Sequence, residues 1–535
     1  MRTLLLSLLL AATAAAGYPT SLLAQRASLP TTDEEARDLA ATIQPDDLRR
    51  HLTVLAADDM EGRETGQPGQ KRAAAYLAEQ LRIMGFPAIG EGGGYFQTIK
   101  FSRQRWDTIA LSVDGEELRH LWDFYSSPGL NADRPAVDID EITFLGYGIE
   151  EEGYSDYGGQ DVTGKTLLIF AGEPRSRHGN FLLTGTKDPS DWSLNDGRKL
   201  RLARAKGAAT VLIIDPAFRK NVQDVRKEVL DGRLRMAEQT EAERREANSV
   251  YITPDLARRL LGKQYKKVVR ARRRIEKSGR LRPVTVATDL RLTQTKVVTE
   301  LIGENVLGYL EGTDPELRDE LLVVSAHYDH LGKRGEAIFN GADDNGSGSS
   351  TILEVAEAFV QAKREGKGPR RSVLFLWVSG EEKGLLGSEY YASHPVFPLE
   401  QTIADINVDM VGRVDEKHAG NPYYIYVIGS DRLSSELHRI NETVNRDFTQ
   451  LAFDYTYNMD DDPNRYYYRS DHYNFARQGI PSVFFFNGSH ADYHRDTDTV
   501  DKINFEKMAR IGQLVFHNAW QLTNQDKRIE VDVRP

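Results

Sequence analysis

Four apolar runs toward the C-terminus constrain this chain more than any other feature. Leu321–Ala326, Val373–Val378 and Val483–Phe486 are apolar almost throughout, and Ile403–Val408 is a mixed fourth run. Continuous rather than alternating hydrophobicity marks strands covered on both faces. Between them Ile352, Val355, Phe359 and Val360 recur at helical spacing, as do Phe505, Met508, Ile511, Val515, Ala519 and Leu522 near the end. Strands alternating with helices predict an α/β fold with an open, mixed but mostly parallel sheet and helices on both faces. Upstream, Ala74, Leu77, Leu81 and Met84 form another helical stripe, with Gly85 as its cap.

The 535 residues leave room for two to four domains, and 40% hydrophobic with 28% charged residues is ordinary globular composition. There is no cysteine. That excludes a thiol nucleophile, a Cys-ligated zinc or iron–sulfur site and a disulfide framework. Any metal must be held by His, Asp or Glu, which favours zinc, manganese or magnesium. A formal charge of −11 argues against a nucleic-acid partner for the chain as a whole. From Arg198 to Arg282, however, 25 Lys and Arg stand against 10 Asp and Glu, which marks a separate module. Its most basic run, Lys263 to Arg282, reads as a solvated helix face, because no aromatic residue beyond Tyr265 alternates with its charges.

The N-terminus reads as an export signal. Arg2 precedes an almost pure Leu/Ala run from Leu4 to Ala16, with cleavage expected after Ala16 or Ala24. The run is short for a membrane span, which needs about 20 residues. No later stretch approaches that length, so a secreted or periplasmic protein without stable membrane insertion is expected.

Nine of the 12 histidines lie at or after His327. In open α/β sheets functional groups gather at the carboxyl ends of strands. Those ends carry His327-Tyr328-Asp329, Glu381-Glu382 and Asp409, and the fourth strand leads through Asn487 to His490, Asp492 and His494. A glycine-rich loop, Gly341-Ala342-Asp343-Asp344-Asn345-Gly346-Ser347-Gly348, follows the first. These residue types suffice for a hydrolytic site with two divalent metals, which needs one bridging carboxylate plus a His and a carboxylate for each ion. Asp343 suits the bridge, where glycines let the backbone turn sharply. His327 and Asp409 complete one metal; Glu382 and His494 complete the other. Asp329 is placed to accept the second imidazole N–H of His327, and Glu381 to serve as general base over a water. Neither a nucleophile elbow nor a Walker lysine accompanies the glycine loop.

At these residues the chain resembles metallopeptidase family 28, the zinc aminopeptidases related to glutamate carboxypeptidase and the transferrin-receptor ectodomain. The matching words are His327-Tyr328-Asp329, the glycine loop, Gly380-Glu381-Glu382-Lys383-Gly384-Leu385-Leu386-Gly387-Ser388, Asn407-Val408-Asp409-Met410, Ser470-Asp471-His472 and Asp492-Tyr493-His494. Asp58-Asp59-Met60-Glu61-Gly62-Arg63 with Gly66 and Gly69 is similar to the usual opening of the catalytic domain. The resemblance implies two Zn2+ per chain on His327, Asp343, Glu382, Asp409 and His494, Glu381 as general acid/base and Asp329 as partner of His327. It places Ser470, Asp471 and His472 near the substrate pocket.

The middle segment resembles an inserted protease-associated domain, through Gly146-Tyr147-Gly148, Tyr157, Asp161-Val162-Thr163-Gly164-Lys165 and Lys206-Gly207-Ala208-Ala209. The implied organisation is a signal at 1–24, a catalytic domain split into 30–122 and 291–526, a β-rich α/β insert at 123–290, and a tail at 527–535. The expected activity is removal of N-terminal residues from peptides. A glutamate-type carboxypeptidase, a single-zinc glutaminyl cyclase and a non-catalytic receptor-like binding protein are the alternatives; oligomeric state is not legible.

Overall fold

The computed structural model describes residues 33–239, 246–279 and 281–533. The signal expected at 1–24 lies outside them. Among the described residues no helix is long and apolar enough to cross a membrane.

The principal strands are β1 (Phe96–Val113), β2 (Arg134–Phe144), β3 (Thr166–Phe170), β4 (Thr210–Ile214), β5 (Asn248–Ile252), β6 (Val284–Leu310), β7 (Leu321–His327), β8 (Ser372–Val378), β9 (Thr402–Val408), β10 (Tyr424–Ile428) and β11 (Ser482–Phe486). They join one large sheet in the order β10-β11-β9-β7-β8-β6-β2-β3-β4-β5. The neighbours β11, β9, β7 and β8 run parallel, in register Val324 with Ile406 and with Phe375. β10 follows on that side antiparallel to β11, and the short strand Ala452–Asp454 pairs beyond it. The expected α/β architecture is thus present, with all four anticipated strands within a residue of their places.

Every residue of β7, β8 and β9 is buried, because both faces of the sheet are covered. Val324, Ala326, Phe375, Trp377, Ile406 and Val408 meet helices α1 (Pro68–Met84), α2 (Gly348–Arg364) and α3 (Phe505–Asn524) on one side. Val323, Leu374, Leu376 and Val378 meet Tyr391, Phe475 and Ile480 on the other. The strand period of two thus sends alternate apolar side chains into two separate cores. Each fully buried Val, Leu, Ile or Phe contributes roughly 1.5–3 kcal/mol. α1 ends as its stripe predicts. Gly85 adopts φ 84°, and the Phe86 N–H returns to the Leu81 carbonyl at 3.0 Å.

The sequence pattern did not reveal the length of β6. Its 27 residues run from the basic module to the catalytic half, paired antiparallel with β1 from Leu290 to Val306 and with β8 at its far end. Helix Phe218–Asp231 packs against Leu121 and Tyr125, while β2 to β5 carry a second pair of cores with helices Asp196–Ala205, Pro254–Leu261 and Tyr265–Ser278. Leu111 and Val113 of β1 join one of them. On the last helix Lys266, Lys267, Arg270, Arg273, Arg274 and Lys277 are exposed, and Val268, Ala271 and Ile275 face inward.

Candidate metal centre

The carboxyl ends of β7, β8, β9 and β11 open onto one cleft. β7 ends at His327, which is 1% exposed. Its Nε2 lies 3.3 Å from Asp409 Oδ1, 3.4 Å from Asp344 Oδ1 and 3.9 Å from Glu381 Oε2. A second cluster stands beside it. His494 Nε2 is 3.1 Å from Asp344 Oδ2 and 3.4 Å from Glu382 Oε2, and His330 Nδ1 is 2.8 Å from Glu382 Oε1. Asp344 therefore gives one oxygen to each cluster.

The expectation for Asp343 needs correcting: its neighbour Asp344 occupies the bridging place. Asp343 turns away, with Oδ1 accepting the Gly412 N–H at 2.7 Å and Oδ2 3.2 Å from His490 Nε2. Adjacent side chains on a turning backbone point apart, and hydrogen bonds decide which one faces the cleft. Asp498 accepts the backbone N–H groups of both Asp343 and Asp344, at 3.0 and 3.1 Å. Asn345 then ties the loop to the end of β9, its Oδ1 accepting from Gly348 and Met410 and its Nδ2 donating to the Val408 carbonyl. Gly341 begins the loop at φ 56°, where a Cβ would lie 2.2 Å from the Asp344 carbonyl oxygen.

Asp329 also differs from expectation. The His327 Nδ1 is 3.1 Å from the Asp329 main-chain carbonyl but 3.9 Å from its carboxylate. The carboxylate instead accepts the Thr65 hydroxyl at 2.7 Å and the Glu381 N–H at 3.1 Å. It positions the loop that carries Glu381. The Ser470-Asp471-His472 word splits three ways. Ser470 donates its hydroxyl to Asp409 Oδ2 at 2.7 Å, so it braces that carboxylate. Asp471 accepts from Ser388 at 2.5 Å, and burial drives its carboxyl up to about 7. His472 is fully buried between Phe484 and Tyr467, and burial holds its ring down at about 3. It is a core residue and does not line the cleft.

Sequence reasoning gave no role to four residues here. His330 lies three positions after His327 and is fully buried. His490 and Asp498 flank His494 and hold the Asp343–Asp344 turn. Arg63 is 1% exposed and donates to the carbonyls of Tyr328, Leu55, Asn340 and Gly341 at 2.6–2.8 Å. It joins the end of β7 to the loop of Asp344. Burial lowers its guanidinium to about 10. Only the glycine-studded word around Arg63 signalled it.

Four carboxylates, Asp344, Glu381, Glu382 and Asp409, converge without any of them pairing to a Lys or Arg among the described residues. Gathering negative charge in a buried site is costly unless cations stand between the groups. Burial opposes a charge on His494, yet Asp344 and Glu382 push its ring up to about 10. Burial raises Glu381 well above the usual carboxylate range. Nε2 of His330 is buried without a hydrogen-bond partner among the described residues. Imidazoles with carboxylates, at separations one ion can span, fit a pair of borderline divalent metals.

Residues 305–519 match Peptidase family M28. A probable leucine aminopeptidase of Arthroderma otae is 32% identical over 215 residues, which cover 39% of this chain and 56% of that protein. Aminopeptidase YwaD of Bacillus subtilis is 27% identical over 240 residues, covering 44% and 48% respectively. The chain thus spans about half the length of the curated relatives it matches. The structure of an aminopeptidase from Aneurinibacillus sp. strain AM-1 superposes with a TM-score of 0.53 at 18% identity, over 94% of this chain and 98% of that one. That likeness establishes a shared fold. All the side chains of the two clusters fall inside residues 305–519, the segment that matches Peptidase family M28.

Proposed function

We propose that the protein is an exported di-zinc aminopeptidase that hydrolyses N-terminal residues from peptides. One observation carries the reading: Asp344 presents its two oxygens to separate histidine–carboxylate clusters. His327, Asp344 and Asp409 would hold one zinc; Asp344, Glu382 and His494, with His330 behind them, would hold the other. The names of the relatives supply the peptide class, and the imidazole–carboxylate donor set favours zinc. When bound, such ions acidify a water molecule and polarise the scissile carbonyl.

The chain's own residues do the rest. Glu381 takes a proton from the attacking water and returns it to the leaving amine. Burial raises its proton affinity, which favours the half in which it accepts the proton. Asp329 and Thr65 fix its loop, and Ser470 fixes Asp409. The basic module reads as a protease-associated insert beside the cleft, since Arg233 packs against Gly384 in the Glu381 loop.

Purified protein assayed with aminoacyl-nitroanilides and with N-blocked peptides, before and after chelation, tests the proposal. Cleavage of free-amine substrates alone, lost with chelator and restored by zinc, supports it. Cleavage of N-blocked peptides instead would replace it with a carboxypeptidase. N-terminal sequencing of exported protein tests the leader, with a start near Gly17 or Gln25 expected.

A further inference from the structure

One cation in the cleft has no carboxylate. Arg469 is the single Lys or Arg among the side chains that line the opening over His327, Asp344 and Glu381. It is exposed, and among the described residues no carboxylate pairs with it. Its guanidinium is held by tyrosines instead. It stacks over Tyr466 at 4.8 Å, and Nη2 lies 3.5 Å from the Tyr493 hydroxyl. Tyr493 in turn stacks on His494 at 3.9 Å. The backbone is fixed as well, for the Arg469 N–H donates to the Tyr466 carbonyl and the next residue is Ser470, bonded to Asp409. Nearby Arg465 stacks on Tyr468 at 4.7 Å and does not line this opening.

A guanidinium offers five N–H donors in a planar fork that matches a carboxylate. Here one donor has a long contact and the others are free. Two divalent ions would offset Asp344, Glu381, Glu382 and Asp409, so Arg469 would remain as uncompensated positive charge. Propped by rings rather than by an ion pair, it has little side-chain freedom to lose on binding.

We propose that Arg469 is a specificity-determining residue that binds a carboxylate of the substrate, so that the enzyme favours short peptides with a free C-terminus or peptides with an acidic residue. This rests on the aminopeptidase reading for the position of the peptide in the cleft, and it concerns recognition alone. The carboxylate has two sources, the peptide terminus and a side chain.

Binding to zinc-loaded Glu381→Gln protein, measured by calorimetry, separates recognition from turnover. Leu-Ala is compared with Leu-Ala-amide for the terminus, and Glu-Ala-amide with Gln-Ala-amide for the side chain. One carboxylate partner of each pair should bind about tenfold to a hundredfold more tightly. In the Arg469→Gln, Glu381→Gln double variant that preference should collapse to within about threefold, and Arg469→Lys should retain part of it. Equal affinities within both pairs, or a preference that survives Arg469→Gln, would overturn the proposal. Failure of the wild-type protein to cleave any free-amine peptide would overturn the aminopeptidase reading instead, and the binding comparison would still decide the role of Arg469.

Discussion

Asp498 Oδ2 accepts the Asp344 N–H at 3.1 Å, so the carboxylate that faces both clusters is aimed from behind through its own backbone. The same acid accepts the Asp343 N–H through both oxygens. Asp498→Asn replaces one acceptor oxygen by an N–H donor that opposes those amides. We expect kcat/KM to fall about tenfold to a hundredfold with weaker metal retention, because supports of this kind tune the groups they hold. Kinetics and metal content measured after dialysis against a weak chelator check this, while a Tm unchanged within a few degrees shows that the fold persists.

The two neighbouring acids of the glycine loop should behave differently. Asp344→Asn is expected to lose metal from both clusters, taking stoichiometry from two toward zero and activity below detection. Asp343→Asn keeps its Gly412 bond, and should retain both ions with reduced turnover. Elemental analysis of the purified variants reads this directly. Equal metal loss in both would show that the two positions share the bridge.

Arg63 holds four carbonyls, those of Leu55, Tyr328, Asn340 and Gly341, and only the last is also reached by a backbone N–H, that of Gly346 at 3.2 Å, among the described turn and loop bonds. Lysine has three donors on one atom and cannot span the same fork. Arg63→Lys should therefore cost on the order of 3 kcal/mol, typical of breaking a buried charged network. Urea unfolding gives the value, with an unchanged m-value expected. A loss below about 1 kcal/mol would remove Arg63 as the clasp between β7 and the Asp344 loop.

Lys507 predicts a pH dependence of stability. It is fully buried, its Nζ donates to the Arg413 carbonyl at 2.6 Å and lies 3.7 Å over the Tyr424 ring, and burial lowers it to about 7. The unfolded chain binds this proton up to about pH 10.4. Between pH 7 and 10 the unfolded state thus holds more protons, so this group's contribution to stability rises with pH, and is least favourable below 7. Lys507→Met removes that slope. The Tm of Lys507→Met relative to wild type should be higher at pH 6 than at pH 9, by an amount equivalent to a few kcal/mol at most. A constant difference across that range would mean that Lys507 titrates normally.

The strands and helices of the catalytic half were legible because each is a long apolar segment with a clear period. β7, β8, β9 and β11 begin and end within a residue of their apolar runs. The site was legible at the level of words and not of atoms. Asp343 and Asp344 are chemically identical in sequence, and only Asp498, Gly412 and His490, brought from elsewhere, distinguish them. Asp329 stood on the correct side of the strand, but Thr65 and the Glu381 N–H captured its carboxylate. Ser470 and Asp471 lead into the short helix His472–Ala476, and the turning backbone sends the three successive side chains in different directions. Arg63 was given no role because its partners are carbonyls, which every residue carries.

Val284–Leu310 is one unbroken strand that belongs to both halves of the molecule, and Phe96–Val113 lies hydrogen-bonded along it. Such a beam bends far less readily than a loop linker. A basic half joined through such a ladder should move together with residues 305–519 rather than swing on a joint. Small peptides should reach Glu381 at a rate set by diffusion through a standing aperture, without waiting for any part of the protein to open.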